Sequence, residues 1–194
     1  PRPVQRPGPP LWRSVISPGS FEECGRRGIP ILTARLGVER IKERWALYGA
    51  ALADGGHDET TQRRLMAQCA LWRNVYVADS DAQAEDEVCQ LLLDTRKHMM
   101  HVRQAHNPVD FVIDPAMLNP WTDPSVSDAD ALPYVLETGT LHGSPERVRQ
   151  QVAELRDVGV QHLLCQTGFG DMNQEQNLAS MRRFGEQVMP AFAD

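Results

Sequence analysis

The feature that most constrains this chain is an order of segments: four short β-prone runs, each followed by a helical pattern. Residues 11–17, with Leu11, Trp12, Val15 and Ile16, predict a strand that stops at Pro18-Gly19. Residues 28–34, 70–78 and 160–166 are similarly rich in Ile, Leu, Val and aromatic residues and predict three more. Between the first two runs, residues 20–27 predict a helix with Ser20 as its cap, Glu22 and Glu23 in the first turn and Gly28 as its stop. Residues 38–53 place Val38, Ile41, Trp45 and Leu52 at helical spacing before Gly55-Gly56. After the third run, Ser80 and Gln83 form a capping-box pattern ahead of a long helix carrying Val88, Leu92, Thr95, Met99 and Val102, which ends at Asn107-Pro108. Ser144-Pro145-Glu146 opens a further helix with Val148, Val152 and Leu155 on its apolar stripe, and residues 173–188 predict the last one. Such alternation predicts parallel strands joined by helical crossovers. An open doubly wound sheet and part of an eight-fold β/α barrel both satisfy it, and no close internal repeat chooses between them.

The composition excludes several function classes. With 20 basic against 26 acidic residues, a net charge of -6 and no basic run longer than a pair such as Arg26-Arg27, the chain lacks the electrostatic footprint of a nucleic-acid binder. The longest apolar stretches, near residues 28–34 and 160–165, fall far short of the ~20 residues a membrane-spanning helix needs. Cys24, Cys69, Cys89 and Cys165 form no Cys-x-x-Cys pair and sit in apolar or helical segments. Buried, reduced thiols and a cytoplasmic setting are expected from that usage. His98, His101 and His106 do not share one helical face, so a solvated helix surface is expected there rather than a metal site. No role is assigned to His57 or His142, and His162 is read as structural. Gly168-Phe169-Gly170 lacks the third glycine of a dinucleotide fingerprint and follows the last strand rather than the first. The connection 107–138, with Pro108, Pro115, Pro120, Pro124 and Pro133, reads as a long functional or mobile loop.

Ser17-Pro18-Gly19-Ser20 followed by Gly28-Ile29-Pro30 resembles the luciferase-like flavin monooxygenase family. The likeness continues in order through Pro9-Pro10-Leu11-Trp12, Trp45-Ala46-Leu47-Tyr48, Val75-Tyr76-Val77-Ala78-Asp79-Ser80-Asp81, Gly143-Ser144-Pro145-Glu146-Arg147-Val148, Gly159-Val160-Gln161-His162-Leu163-Leu164 and Val188-Met189-Pro190. What this resemblance implies is an α/β fold of the TIM type, of which residues 1–194 are the C-terminal half with about four strand-helix units. A complete barrel takes roughly 250 residues. With Pro1 in place of an initiator Met, the expectation is that an N-terminal half is missing. The implied activity is a monooxygenase reaction on a small organic substrate, using molecular oxygen and reduced FMN supplied by a flavin reductase. A homo-oligomer is the implied assembly. The alternatives are a deazaflavin-dependent dehydrogenase or reductase of the same superfamily, and an inactive half-barrel that acts only through self-association.

Barrel sites lie at the C-terminal ends of strands. The hydroxyls of Ser17 and Ser20, the approachable backbone at Gly19 and the N-terminus of the following helix make an anion site, against the plainer reading of a helix cap. By resemblance, Ser17, Gly19 and Ser20 hold the FMN phosphate. Thr33 and Phe169 are candidates for the flavin or substrate pocket, and Arg35 reads first as a surface residue. No catalytic residue is assigned, because the family's main catalytic side chains come from the N-terminal half.

Overall fold

In a computed structural model, residues 2–6, 8–108, 110–112 and 118–193 are described. The elements run β1 (Arg13–Ser14), α1 (Pro18–Arg26), β2 (Ile31–Ala34), α2 (Val38–Asp54), α3 (Glu59–Gln68), β3 (Ala70–Val77), α4 (Asp81–His106), α5 (Asp128–Gly139), β4 (Thr140–Gly143), α6 (Pro145–Asp157), β5 (His162–Gln166) and α7 (Gln174–Arg183). A π-helical turn, Phe184–Val188, and a 3-10 turn, Met189–Phe192, follow α7. Two compact units divide the chain: residues 1–72 with 155–164, and residues 73–154 with 165–194.

In the first unit β1 and β2 are parallel, with Arg13 opposite Ile31 and Ser14 opposite Leu32, and β2 is parallel to the start of β3 through Leu32–Ala70, Thr33–Leu71 and Ala34–Trp72. Helix α1 buries Phe21, Cys24 and Gly25, and α2 buries Ile41, Trp45, Tyr48, Ala51 and Leu52, at helical spacings that turn one stripe of each toward the interior. Tyr48 is fully buried and donates its hydroxyl to the Ile29 carbonyl at 3.0 Å, satisfying its one polar atom. In the second unit the rest of β3 runs parallel to β4, from Asn74–Thr140 to Val77–Gly143. Its core gathers Tyr76, Ala78, Val88, Leu92, Trp121 and Val135. Strand β5 pairs with β3.

The α/β architecture with parallel strands is as expected, and several of its details differ. Strand β1 is two residues long rather than seven. Helix α1 begins at Pro18, so Ser17 rather than Ser20 is its N-cap: Pro at the first position has no N–H to satisfy and a preset φ. Glu22 and Glu23 consequently lie beyond the first turn, and Glu23 pairs with Arg13 at 2.7 Å and Arg27 at 3.1 Å. Helix α3 and strand β4 are additional, and the connection 107–138 contains helix α5; its residues 109 and 113–117, Pro115 among them, lie outside the described residues. Ser80 accepts from the Gln83 backbone at 3.2 Å, but the Gln83 side chain turns to Glu87, so the capping box is half made. Of the cysteines, Cys24 and Cys69 are buried, Cys89 is half-buried and Cys165 is exposed.

Candidate functional site

The N-terminus of α1 is built directly from the chain's local preferences. Ser17 is extended (φ -74°, ψ 145°), and its carbonyl accepts from Ser20 N at 3.0 Å and from Phe21 N at 3.4 Å. Neither serine hydroxyl caps the helix; the two Oγ atoms lie 2.9 Å apart and bond each other. Ser17 and Gly19 are exposed, and a Cβ placed on Gly19 would meet nothing within 4 Å. No acidic residue occupies the first turn, so the positive end of the helix dipole has no internal counter-anion there. By contrast the start of α6 is already filled, since Ser144 N donates to Asp81 Oδ1 at 2.7 Å and holds that carboxyl below its usual range. The α1 end thus combines two hydroxyls, open space beside a glycine and the Gly19 N–H, donors of the kind that bind a phosphate or carboxylate.

Arg35 lies just past β2. It is half-buried and, among the described residues, the one non-glycine residue in the left-handed region, at φ 57°. That backbone costs a side-chain-bearing residue about 1 kcal/mol.

The other sequence-derived candidates are placed elsewhere. Thr33 is 2% exposed and donates its hydroxyl to the Val15 carbonyl at 2.8 Å, which ties β1 to β2 and commits that donor internally. Phe169 packs into the core of the second unit. Ser17 and Ser20 are brought together, and Phe169 belongs to the other unit. His98, His101 and His106 are exposed along α4, and among the described residues no group of His, Cys, Asp and Glu could hold a metal ion. No helix of the described residues is long and apolar enough to cross a membrane.

Sequence reasoning missed two features of the second unit. A cavity of about 200 Å³ is lined by Tyr76, Gln83, Glu87, Asn173, Gln176 and Arg183. Several of its polar groups already have partners: Tyr76 donates to Glu87 Oε2 at 2.5 Å, Asn173 and Gln176 form a reciprocal capping box, and Arg183 binds Asp79 at 2.7 Å. His142, opposite Tyr76 in the β3–β4 register, is 5% exposed with Nδ1 buried and unbonded. Burial, then the nearby Arg147, lower its pKa, opposed by Glu85 and Asp81. A lowered folded pKa means that the unfolded chain binds the proton more readily, so this contribution to stability is complete above about pH 6.5 and is lost as pH falls below it. Urea unfolding between pH 7.5 and 5.5 is expected to show a smaller acid loss for His142→Asn than for the wild type; equal losses would remove His142 as the cause.

The model of the luciferase-like monooxygenases matches residues 1–162. The oxygenase component of a flavin-dependent trigonelline monooxygenase from Acinetobacter baylyi is 23% identical over 197 residues, covering 100% of this chain and 51% of that protein. Among solved structures, the oxygenating constituent of the Pseudomonas putida 3,6-diketocamphane monooxygenase, in complex with FMN, is 18% identical with a TM-score of 0.66, covering 94% of this chain and 49% of that one. A coenzyme F420-dependent tetrahydromethanopterin reductase from Methanopyrus kandleri is 12% identical with a TM-score of 0.58, covering 95% and 51%. The chain therefore spans about half the length of these relatives. With a family model matched over 1–162 and strand and helix order to correspond, this chain belongs to the luciferase-like monooxygenase family.

Proposed function

We propose that residues 1–194 form the C-terminal half of a TIM-type barrel that binds FMN for a monooxygenase reaction, with the phosphate held at Ser17, Gly19 and Ser20. The observation that carries this reading is the α1 N-terminus: two hydroxyls free of capping duty, an unobstructed Gly19 and no acidic residue in the first turn. Those features fit a phosphate, and the FMN named for the diketocamphane relative supports the choice of cofactor. When bound, reduced FMN supplies the oxygen chemistry, which the protein serves by orienting the ring and excluding water. This chain's own part is binding: Ser17 and Ser20 donate to phosphate oxygens, the Gly19 N–H at the positive end of the helix adds a further donor, and Arg35 just past β2 contributes a positive charge.

A flavin reductase as electron source, a small organic substrate, a homo-oligomeric state and a cytoplasmic setting belong to the same proposal. The reductase follows from the relative's description as an oxygenase component. A second reading, a deazaflavin-dependent dehydrogenase or reductase, draws support from the likeness to the F420-dependent reductase. Titrating both cofactors by fluorescence separates the two, since tighter binding of the deazaflavin would favour the second. The site itself is tested by Ser17→Asp, which puts a carboxylate where the phosphate would sit. We expect FMN affinity to fall on the order of tenfold or more. Unchanged affinity, or no FMN binding by the wild type, would overturn the assignment.

A further inference from the structure

We propose that the cavity of the second unit, walled by β3, α4 and α7, is a binding site for a small zwitterion, an amino acid with one ammonium and one carboxylate. It uses none of the residues of the α1 site and does not rest on the flavin reading.

The cavity's volume of about 200 Å³ is that of roughly seven waters at ~30 Å³ each, which is room for roughly seven to ten non-hydrogen atoms. On the α4 side the Glu87 carboxylate is fixed at both oxygens: Tyr76, 3% exposed, donates to Oε2 at 2.5 Å, and Gln83 Nε2 donates to Oε1 at 3.1 Å. A carboxylate accepts at about four positions, so each oxygen keeps one for a ligand. On the α7 side Arg183 is anchored by Nε, 2.7 Å from Asp79 Oδ1, with its side chain 23% exposed. Among the described residues its two Nη atoms have no partner within the chain, so the outer fork of the guanidinium is held in place and open. Asn173 and Gln176 commit their side-chain oxygens to the cap of α7, which leaves both amide nitrogens as donors.

The charges select the ligand. Glu87 and Glu175 line the cavity against one cation, Arg183, which is itself paired with Asp79, so a plain anion meets net negative charge. A plain cation suits Glu87 and leaves the Arg183 fork without an acceptor. A molecule with both charges satisfies both sides: its ammonium donates to Glu87, and its carboxylate accepts from Arg183 and the neighbouring amides. Both contacts are charge-assisted hydrogen bonds, the stronger kind.

The test is titration of the 194-residue chain with γ-aminobutyrate, ε-aminocaproate and L-glutamine, read by amide chemical shifts in NMR, with butylamine and butyrate as one-charge controls. At least one zwitterion should bind on the order of tenfold more tightly than either control, with shifts concentrated in α4 and α7. Arg183→Met should weaken that zwitterion on the order of tenfold and leave butylamine unchanged. Glu87→Gln, which keeps an acceptor for Tyr76, should weaken it as much and leave butyrate unchanged. Circular dichroism melting checks that both variants stay folded, and Glu87→Gln alone decides if loss of the Asp79 pair unfolds Arg183→Met. No binding by any of the three, a control that binds as tightly as the best zwitterion, or an affinity that the folded variants leave unchanged would overturn the proposal. No flavin is present in these titrations, so failure of the α1 assignment leaves the result standing.

Discussion

Arg96→Ala is expected to destabilise the protein by roughly 4 kcal/mol, the largest effect of any single substitution considered for the second unit. Arg96 is 6% exposed on α4, and its guanidinium gathers a segment that has little regular structure of its own. Nε donates to the Trp121 carbonyl at 3.3 Å, Nη2 to the carbonyls of Asp123 at 2.9 Å and Val126 at 2.8 Å, and Nη1 to the Asp128 carboxylate at the start of α5. The group also lies 6.0 Å from the centre of the Trp121 ring. Truncation strands three carbonyls and leaves a hole in place of a buried side chain. At about 2–4 °C per kcal/mol for a chain of this size, Tm should fall by about 10 °C in a calorimetric melt. Arg96→Lys is expected to recover a minor part of the loss, because one ammonium cannot reproduce the planar fork that reaches four acceptors. A fall of less than 3 °C for Arg96→Ala would show that the segment is held by other contacts.

Gly25→Val is the corresponding expectation for the first unit, with a loss of about 3 kcal/mol and weaker FMN binding together. A Cβ on Gly25 would stand 2.6 Å from the Ala51 Cβ and 2.7 Å from the Tyr48 carbonyl oxygen. One contact is with backbone and the other with a buried methyl, so neither neighbour has a flexible end to swing aside, and α1 must move away from α2. The same helix carries Ser17 and Ser20 at its start, so the displacement reaches the proposed phosphate site. Thermal melting and FMN titration on one sample test both halves. A variant that is destabilised yet binds FMN as the wild type does would separate the α1–α2 packing from the site.

The parts of the fold that were legible in the sequence are those with dense apolar patterning. Residues 70–78 became β3 within one residue of the expected end, and the spacing of Val38, Ile41, Trp45 and Leu52 defined α2 almost to its bounds. Helix α3 was not legible because it buries Leu65 alone among ten residues, which leaves no stripe to read. Helix α5 was hidden by Pro133, which reads as a breaker; burial of Ala131 and Val135 and a Ser127 cap on Asp130 N carry the helix through it. Strand β4 has one apolar side chain, Leu141, in four residues and is specified by its pairing with the end of β3. The candidate site was legible as a motif, Ser17-Pro18-Gly19-Ser20, but the N-cap position lies at Ser17, three residues before the expected Ser20, because Pro18 belongs to the helix and not to the turn. The buried His142 and the Arg96 network depend on long-range contacts that no local pattern records.

The central claim, a phosphate site at the N-terminus of α1, is tested most directly by phosphorus NMR of FMN titrated with the 194-residue chain, with riboflavin binding followed in parallel by fluorescence. The account predicts that the phosphate resonance shifts or broadens on binding, that the response is abolished in Ser17→Asp, and that FMN binds on the order of tenfold more tightly than riboflavin. Equal affinity for FMN and riboflavin, with a phosphate resonance unmoved by the protein, would contradict it.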